Sequence, residues 1–199
     1  MTIYTNEILV SNDMDSMALL VGLDGWHLSR VQLDALPDPK LAHDRRGIHW
    51  TFDATGYVAF VRALRQCLTA TTGLITAPSF DHSLKDPTFD DISIHPHDRI
   101  VIIEGLYTFL SIAPWNEAGL LLDERWLLEV GVHEAQERIV KRHVATGVAE
   151  NTQEAIRRAE ENDMPSGSSP IDIIVWPLIH SNRRTIYHRE HLGAHKGNT

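Results

Sequence analysis

Two acids stand where short apolar runs end. Asp24 follows Ala18-Leu19-Leu20-Val21-Gly22-Leu23, and Glu104 follows Ile100-Val101-Ile102-Ile103. Runs of that length read as buried strands, and the second, rich in β-branched residues without alternation, as a strand buried on both faces of a parallel sheet. In open parallel sheets ligands lie beyond the carboxyl ends of the strands. Acids there are the right type to accept a hydroxyl proton and to help hold Mg²⁺ with its waters, as transfer of a phosphoryl group to an alcohol requires. The competing reading is a pair of ordinary acids in solvated loops.

A second constellation is basic. Arg138 and Arg142 are four residues apart on a predicted helix and share a face. Lys141 lies beside them, and Arg157 and Arg158 follow on the next predicted helix. Guanidinium groups on two short helices suit a lid that closes over phosphates and excludes water. The alternative is a solvated face paired with Glu134, Glu137, Glu154, Glu160 and Glu161. A third element is Pro78-Ser79-Phe80-Asp81-His82, followed by Lys85-Asp86-Pro87. An aromatic ring, an acid and an imidazole together suit a polar ligand, whereas the turn residues alone suit a plain loop. The 12 histidines raise the question of metal, most densely at His95-Pro96-His97-Asp98. There is no HExxH, and the remaining histidines are scattered.

The elements that would position these groups alternate between strand and helix. Pro37, Pro39 and Arg45-Arg46-Gly47 mark an irregular stretch. Asp53 is placed to cap a helix over Tyr57 to Leu68, where Val58, Val61, Leu64 and Leu68 recur at helical spacing. Leu74 to Ala77 is a strand candidate stopped by Pro78, and Trp126 to Val130 is another. Helices over Glu134 to Thr146 and Thr152 to Glu161 follow, separated by Gly147, with Asn151 and Glu154 resembling a capping box. Ile171 to Trp176 is the last strand candidate. The expected fold is a three-layer, doubly wound α/β domain with a mainly parallel sheet, spanning 1–199 as one domain. Within it, 1–16 is an atypical N-terminus, 133–163 a lid-like helical segment, and 180–199 a polar tail.

Composition narrows the possible partners. The 199 residues are 43% hydrophobic and 23% charged, with a formal net charge of -9. That size suits one domain, and the charge opposes a broad basic face for nucleic acid or an anionic membrane. A single cysteine, Cys67, allows neither an internal disulfide nor a cysteine zinc cluster. Residues 1–16 have no basic start or long apolar run, and no stretch approaches membrane-spanning length. The expectation is a soluble, cytoplasmic protein.

In order along the chain, several motifs resemble those of the uridine kinase, phosphoribulokinase and pantothenate kinase superfamily. They are Leu23-Asp24-Gly25-Trp26-His27-Leu28, Arg45-Arg46-Gly47 with Thr51-Phe52-Asp53, and Pro78 to His82. Ile102-Ile103-Glu104-Gly105-Leu106-Tyr107, Arg138 to His143, and Glu161-Asn162-Asp163 complete the set. The resemblance implies a P-loop kinase that moves the γ-phosphoryl group of ATP to a hydroxyl of a nucleoside, sugar or pantothenate-like alcohol, with Mg²⁺. Asp24 then matches the acid that takes the hydroxyl proton, and Glu104 matches the acid near the metal. His27, Arg46, Phe80, Asp81, His82 and Lys85 fall to acceptor binding. Arg138, Arg142 and Arg158 fall to the nucleotide lid.

One departure stands against this. The family opens with a strand, a GxxxxGK[ST] loop and a helix, and that motif occurs nowhere in the 199 residues. No glycine precedes Gly22 and no lysine precedes Lys40. The loop's backbone amides, its lysine and its Mg²⁺-binding hydroxyl are all missing. Two explanations compete: a shortened version of an active kinase, favoured because the acids and lid arginines are kept, or a non-catalytic relative that binds metabolites. Little or no kinase turnover is expected from the 199 residues. A homodimer, or association with a complete paralogue, is the expected kind of protein partner.

Overall fold

A computed structural model describes residues 6–7, 18–66, 74–129, 132–147, 149–159 and 184–189. They fall in two compact units, Met1–Leu122 and Asp123–Thr199, each taken by itself below. The strand candidate at Ile171 to Trp176 and the motif Glu161-Asn162-Asp163 lie outside the described residues, as do most of 1–16 and of 180–199.

The first unit is built on β1 (Ala18–Gly22), whose apolar run pairs in parallel with a later strand, Ile100–Glu104. Gly22 and Glu104 are register partners, so both strands end at one edge. A 3₁₀ turn over Leu23–Trp26 carries Asp24 beyond that edge and buries Leu23 and Trp26. Two short helices follow the turn, the second of them inside the stretch from Pro37 to Gly47 that the sequence marks as irregular. Ser29 caps α1 (Arg30–Asp34) in a full capping box with Gln32, and Asp38 caps α2 (Pro39–Asp44), with Pro39 at its first turn. Proline suits that position because its missing N–H has no helical partner there. Asp53 caps α3 (Ala54–Leu64), its Oδ1 accepting from the Gly56 amide at 2.9 Å. The cap is the expected one, but α3 begins three residues before Tyr57 and ends at Leu64. Its buried face carries Tyr57, Val58, Phe60 and Val61.

Two strand readings need correction. β2 (Ile75–Asp81) does not stop at Pro78, and it pairs antiparallel with β3 (Asp86–Ile94). The register shifts between Ala77 and Ser79, so Pro78 sits at an irregularity where its absent N–H costs no ladder bond. β4, Ile100–Glu104, is not buried on both faces: its ends are exposed and its middle is half-buried. Leu20 on β1 is 50% exposed, which leaves apolar surface on this two-stranded sheet open. Packed on α3, α4 (Trp115–Leu121) brings Trp115 against Tyr57, Phe52 and Tyr107, and the Tyr57 hydroxyl donates to the Thr108 carbonyl at 2.9 Å.

The second unit contains β5 (Glu124–Glu129) in parallel with β6 (Arg184–Arg189), and the helices α5 (Val132–Ala145) and α6 (Thr152–Arg158). Gly147 breaks the chain between the helices at φ +70°. Asn151 caps α6 by accepting from the Glu154 amide, but Glu154 reaches back to the amide of Glu150 rather than to that of Asn151. Val140, Ala149, Ala155 and Ala159 form a small apolar core between them. No helix among the described residues is long and apolar enough to cross a membrane.

Gly25 packs directly against the backbone of β2. A Cβ there would lie 2.1 Å from the Pro78 carbonyl oxygen, a backbone atom with no rotamer to yield. Gly25→Ala is therefore expected to destabilise the protein by about 1–3 kcal/mol, the usual range for an overpacked site. A urea melt of the variant checks this, with an unchanged midpoint counting against it.

Candidate active site

The site begins at the shared edge of β1 and β4. Asp24 and Glu104 are both exposed there, one two residues past Gly22 and the other opposite it in register. Gly105 makes the edge tight: a Cβ on it would lie 2.3 Å from Cβ of Leu23. The structure thus brings the two predicted acids to the same strand-end edge.

His27 follows Asp24 by three residues and is held from three directions. Its Nδ1 lies 2.8 Å from the Asp24 carbonyl, and its ring lies between Phe52 and Phe80, with centroids 3.9 and 4.9 Å away. Its side chain is only 12% exposed, and the Asp24 carboxylate comes to 3.8 Å of Nδ1. Burial holds the imidazole below its ordinary value of 6.5, against the pull of the Asp24 carbonyl and carboxylate. The ring is therefore neutral near pH 7.

The hairpin tip supplies Phe80, Asp81, His82 and Lys85. Asp81 Oδ1 accepts from the amide and hydroxyl of Ser83 at 2.7 and 2.6 Å, and from the amide of Leu84. These Ser83 bonds hold its carboxyl below the usual range. That oxygen is spent on the turn. His82 is exposed, with its ring edge-on to Phe80 at 5.2 Å. Lys85 adopts φ +56°, which turns its carbonyl onto Arg46 Nη1. Arg46 Nη2 donates to the Leu28 carbonyl at 2.8 Å and approaches Asp86 at 3.4 Å, and its guanidinium stands 5.4 Å from the Phe80 ring centre. Arg46 is thus a clamp on the hairpin, rather than a group free to meet a ligand.

Residues that the sequence marked only within longer runs, or not at all, complete the site. Asp86 accepts from both the backbone amide and Nε of Arg30, each at 2.8 Å, so one carboxylate joins α1, the hairpin and Arg46. Burial pushes the Asp86 carboxyl up, but the Arg30 bonds and the charges of Arg30 and Arg46 bring it below its ordinary value. A cavity of about 300 Å³ opens beside His27, and Trp26, Gln32, Asp53, Phe89 and Asp90 also line it. Phe89 and Asp90 come from the exposed face of β3, which no sequence motif marked.

Comparison with known proteins then decides the lineage. No family model matches the chain. The ATP-dependent kinase-like protein notR' of Aspergillus versicolor is 46% identical over 141 residues, covering 71% of this chain and 82% of that protein. A candidate uridine kinase of Schizosaccharomyces pombe is 39% identical over 145 residues, covering 73% of this chain and 60% of that protein. Among solved structures, YFH7 of Saccharomyces cerevisiae, a candidate P-loop kinase with a circular permutation, aligns with a TM-score of 0.73 at 27% identity. It covers 88% of this chain and 59% of that one. A candidate fructose transport system kinase from Silicibacter aligns at 0.69 with 26% identity, covering 82% and 73%.

The chain belongs to the P-loop kinase superfamily. It spans most of notR' but only half to three-fifths of the uridine kinase and YFH7 relatives. The α/β fold with parallel strand pairs agrees with that membership, and the relatives' names attach ATP to the family. In a P-loop kinase Mg²⁺ is held by one or two carboxylates, with the shell completed by water and phosphate oxygens. Glu104 fits that use as an exposed strand-end carboxylate. Among the described residues no group of three or more His, Cys, Asp or Glu could hold a metal by itself. At the densest histidine cluster the rings of His95 and His97 stack 5.3 Å apart.

The arginines assigned to the kinase lid sit on the second unit. Arg138 and Arg142 are exposed on α5, with Arg138 paired to Glu134, and Arg158 on α6 pairs with Glu154 at 2.7 Å. Lys141 stands 4.0 Å from Glu137. Helical i,i+4 pairing therefore describes Arg138, Lys141 and Arg158 as they stand.

Asp86 generates a pH dependence with a definite sign. Its folded-state value is depressed, so its contribution is present above the ordinary aspartate value of 3.8 and is lost as pH falls through the lower, folded-state value. Asp86→Asn is expected to lower the urea midpoint at pH 7 and to flatten the loss of stability on acidification. Parallel acid titrations followed by circular dichroism check this. Identical acid limbs for the two proteins would refute it.

Proposed function

We propose that this chain serves ATP-dependent phosphoryl transfer to a hydroxyl of a small metabolite, and that it carries the acceptor side of the reaction. The carrying observation is the placement of Asp24 and Glu104 at one strand-end edge, with His27 leading from that edge into a cavity. Nucleosides, sugars and pantothenate-like alcohols are the candidate acceptors. Asp24 orients the hydroxyl, Glu104 serves Mg²⁺, and the hairpin residues Phe80, His82 and Lys85 contact the acceptor from the tip. Arg138 and Arg158 exchange their glutamate partners for nucleotide phosphates, and Arg142 joins them there.

Turnover by the 199 residues alone is impaired in this reading, because no GxxxxGK[ST] sequence occurs in them to cradle the phosphates. The same observation favours a second reading, a non-catalytic relative that binds the metabolite and regulates or accompanies a complete kinase. We place the protein in the cytoplasm. The exposed Leu20, Ile100 and Leu106 near β1 and β4 support association with a second copy or with a complete paralogue.

Calorimetry and γ-labelled ATP separate the readings. The purified chain is titrated with uridine, fructose and pantothenate, each with and without MgATP. Saturable binding of at least one acceptor is expected, with transfer at or near background. Acceptor binding that does not depend on ATP selects the second reading. Rapid transfer that Asp24→Asn lowers by the ~10²–10⁴-fold typical of a lost proton acceptor would overturn the impairment. Failure of every acceptor to bind would overturn the acceptor-pocket reading itself.

A further inference from the structure

We infer that the cavity beside His27 takes an uncharged, hydroxyl-rich acceptor and rejects one that carries an anionic group, and that Asp90 on β3 helps to set this choice. The inference rests on the acceptor-pocket reading above and narrows it to one charge class.

The cavity's walls fix its charge. Asp53 and Asp90 line it, and among the described residues no lysine or arginine does. His27 adds no positive charge near pH 7, because burial lowers its imidazole. A volume of about 300 Å³ stands at the small end of ligand sites, so a bound metabolite lies close to every wall.

Each carboxylate gives one oxygen to the fold. Asp53 Oδ1 accepts from the Gly56 amide, and Asp90 Oδ1 accepts from the Thr76 hydroxyl. Among the described residues neither Oδ2 makes a hydrogen bond or an ion pair. An asparagine could do either structural job, since it caps a helix as well as aspartate does and tolerates the same left-handed backbone. The negative charge is thus surplus to the fold, and what enters the cavity feels it.

The backbone brings Asp90 to the cavity. Thr88 pairs with Ser79 and Ile92 with Ala77, so Phe89, Asp90 and Asp91 stand opposite Pro78 alone. Asp90 takes φ +55° within that bulge. Successive residues of a regular strand point to opposite faces, whereas a bulge re-aims them. Here Phe89 and Asp90, adjacent in sequence, both line the cavity. Trp26 and Phe89 offer aromatic surface to the carbon skeleton of a ligand. Gln32 spends Oε1 on the amide and hydroxyl of Ser29, which leaves its Nε2 to donate. Carboxylates for hydroxyl hydrogens, an amide for a hydroxyl oxygen and aromatic surface for carbon together suit a polyol.

The neighbouring cations are engaged elsewhere. Arg46 acts on His27, but it donates to the Lys85 and Leu28 carbonyls and faces Asp86, which also holds Arg30. Lys85 is exposed at the hairpin tip and does not line the cavity, so solvent and salt screen it. An anionic group in the cavity gives up water, meets like charge and gains no cation.

The test is calorimetry on the full chain with matched pairs: uridine and 5-carboxyuridine, fructose and fructuronate, panthenol and pantothenate. The second member of each pair differs by one carboxylate. In whichever pair binds, the neutral member is expected to bind about tenfold more tightly or better, the size of one like-charge contact at a partly exposed site. Added salt is expected to narrow the gap. Asp90→Asn is expected to narrow it by about threefold or more, since one of two charges is lost. Asp53→Asn, which keeps the helix cap, is expected to act in the same direction. A merely structural role would weaken both members alike and leave their ratio unchanged. Equal affinities within a pair, a tighter-binding anion, or a ratio that Asp90→Asn leaves unmoved would each overturn the inference while the acceptor-pocket reading stands. If no member of any pair binds, that reading falls and takes this inference with it.

Discussion

The guanidinium of Arg46 is the constraint on which the candidate site depends. It reaches the carbonyls of Lys85 and Leu28 and the carboxylate of Asp86, joining the hairpin tip to the segment after the Asp24 turn. A planar fork with several fixed donors can hold acceptors in different directions at once, which a lysine ammonium on a flexible stem cannot do with the same geometry. The tip is also fixed by its own turn, where Asp81 collects the donors of Ser83 and Leu84. Only when that tip is fixed does Phe80 have a set position, and only then is His27 confined between two rings. Asp86 matters for the same reason: without a carboxylate, Arg30 and Arg46 would bring two cations to the tip with nothing between them.

A second constraint is the closeness of backbone at the strand ends. Gly25 lies against the Pro78 carbonyl, and Gly105 lies against Leu23. Residues next in sequence to the two acids therefore have no room for a side chain. The acids themselves stay exposed and project from a tightly packed floor. Preorganisation of this kind places polar groups without leaving the main chain free to relax around them.

The strand ends and their acids were legible because β-branched runs are a strong signal and the end of a run is easy to see. The Asp53 and Asn151 caps were legible because short polar side chains before a helical period have one common use. Pro78 misled because proline ordinarily ends a strand, and a register irregularity that spares its missing N–H leaves no mark in one sequence. Asp86 carried no signal either: its importance comes from a residue 56 positions away, Arg30, and another 40 away, Arg46. Arg46 itself was found, but for binding a ligand, since sequence gives the presence of a guanidinium and not what occupies its donors. The cavity-lining Phe89 and Asp90 look like ordinary surface residues of a strand until the hairpin folds against the Asp24 turn. The extent of burial of β4 was also beyond reach, because an apolar run states what a strand could bury and not what covers it.

In the proposed function the paired face of α5 and α6 is also the surface that meets phosphates. Arg138 is bonded to Glu134, and Arg158 to Glu154. Those pairs look like an argument against phosphate binding, but the magnitudes say otherwise. Exposed i,i+4 pairs contribute about 0.3–0.5 kcal/mol each and weaken with salt. A bidentate contact from an arginine to a phosphate, in a site that excludes water, is stronger than a single exposed pair. In that reading Glu134 and Glu154 hold the guanidinium groups of Arg138 and Arg158 while no nucleotide is present. Exchange of a glutamate for a phosphate then costs little, and the released carboxylate returns to solvent. Arg142 has no ion pair among the described residues, and in that reading it makes the exchange first.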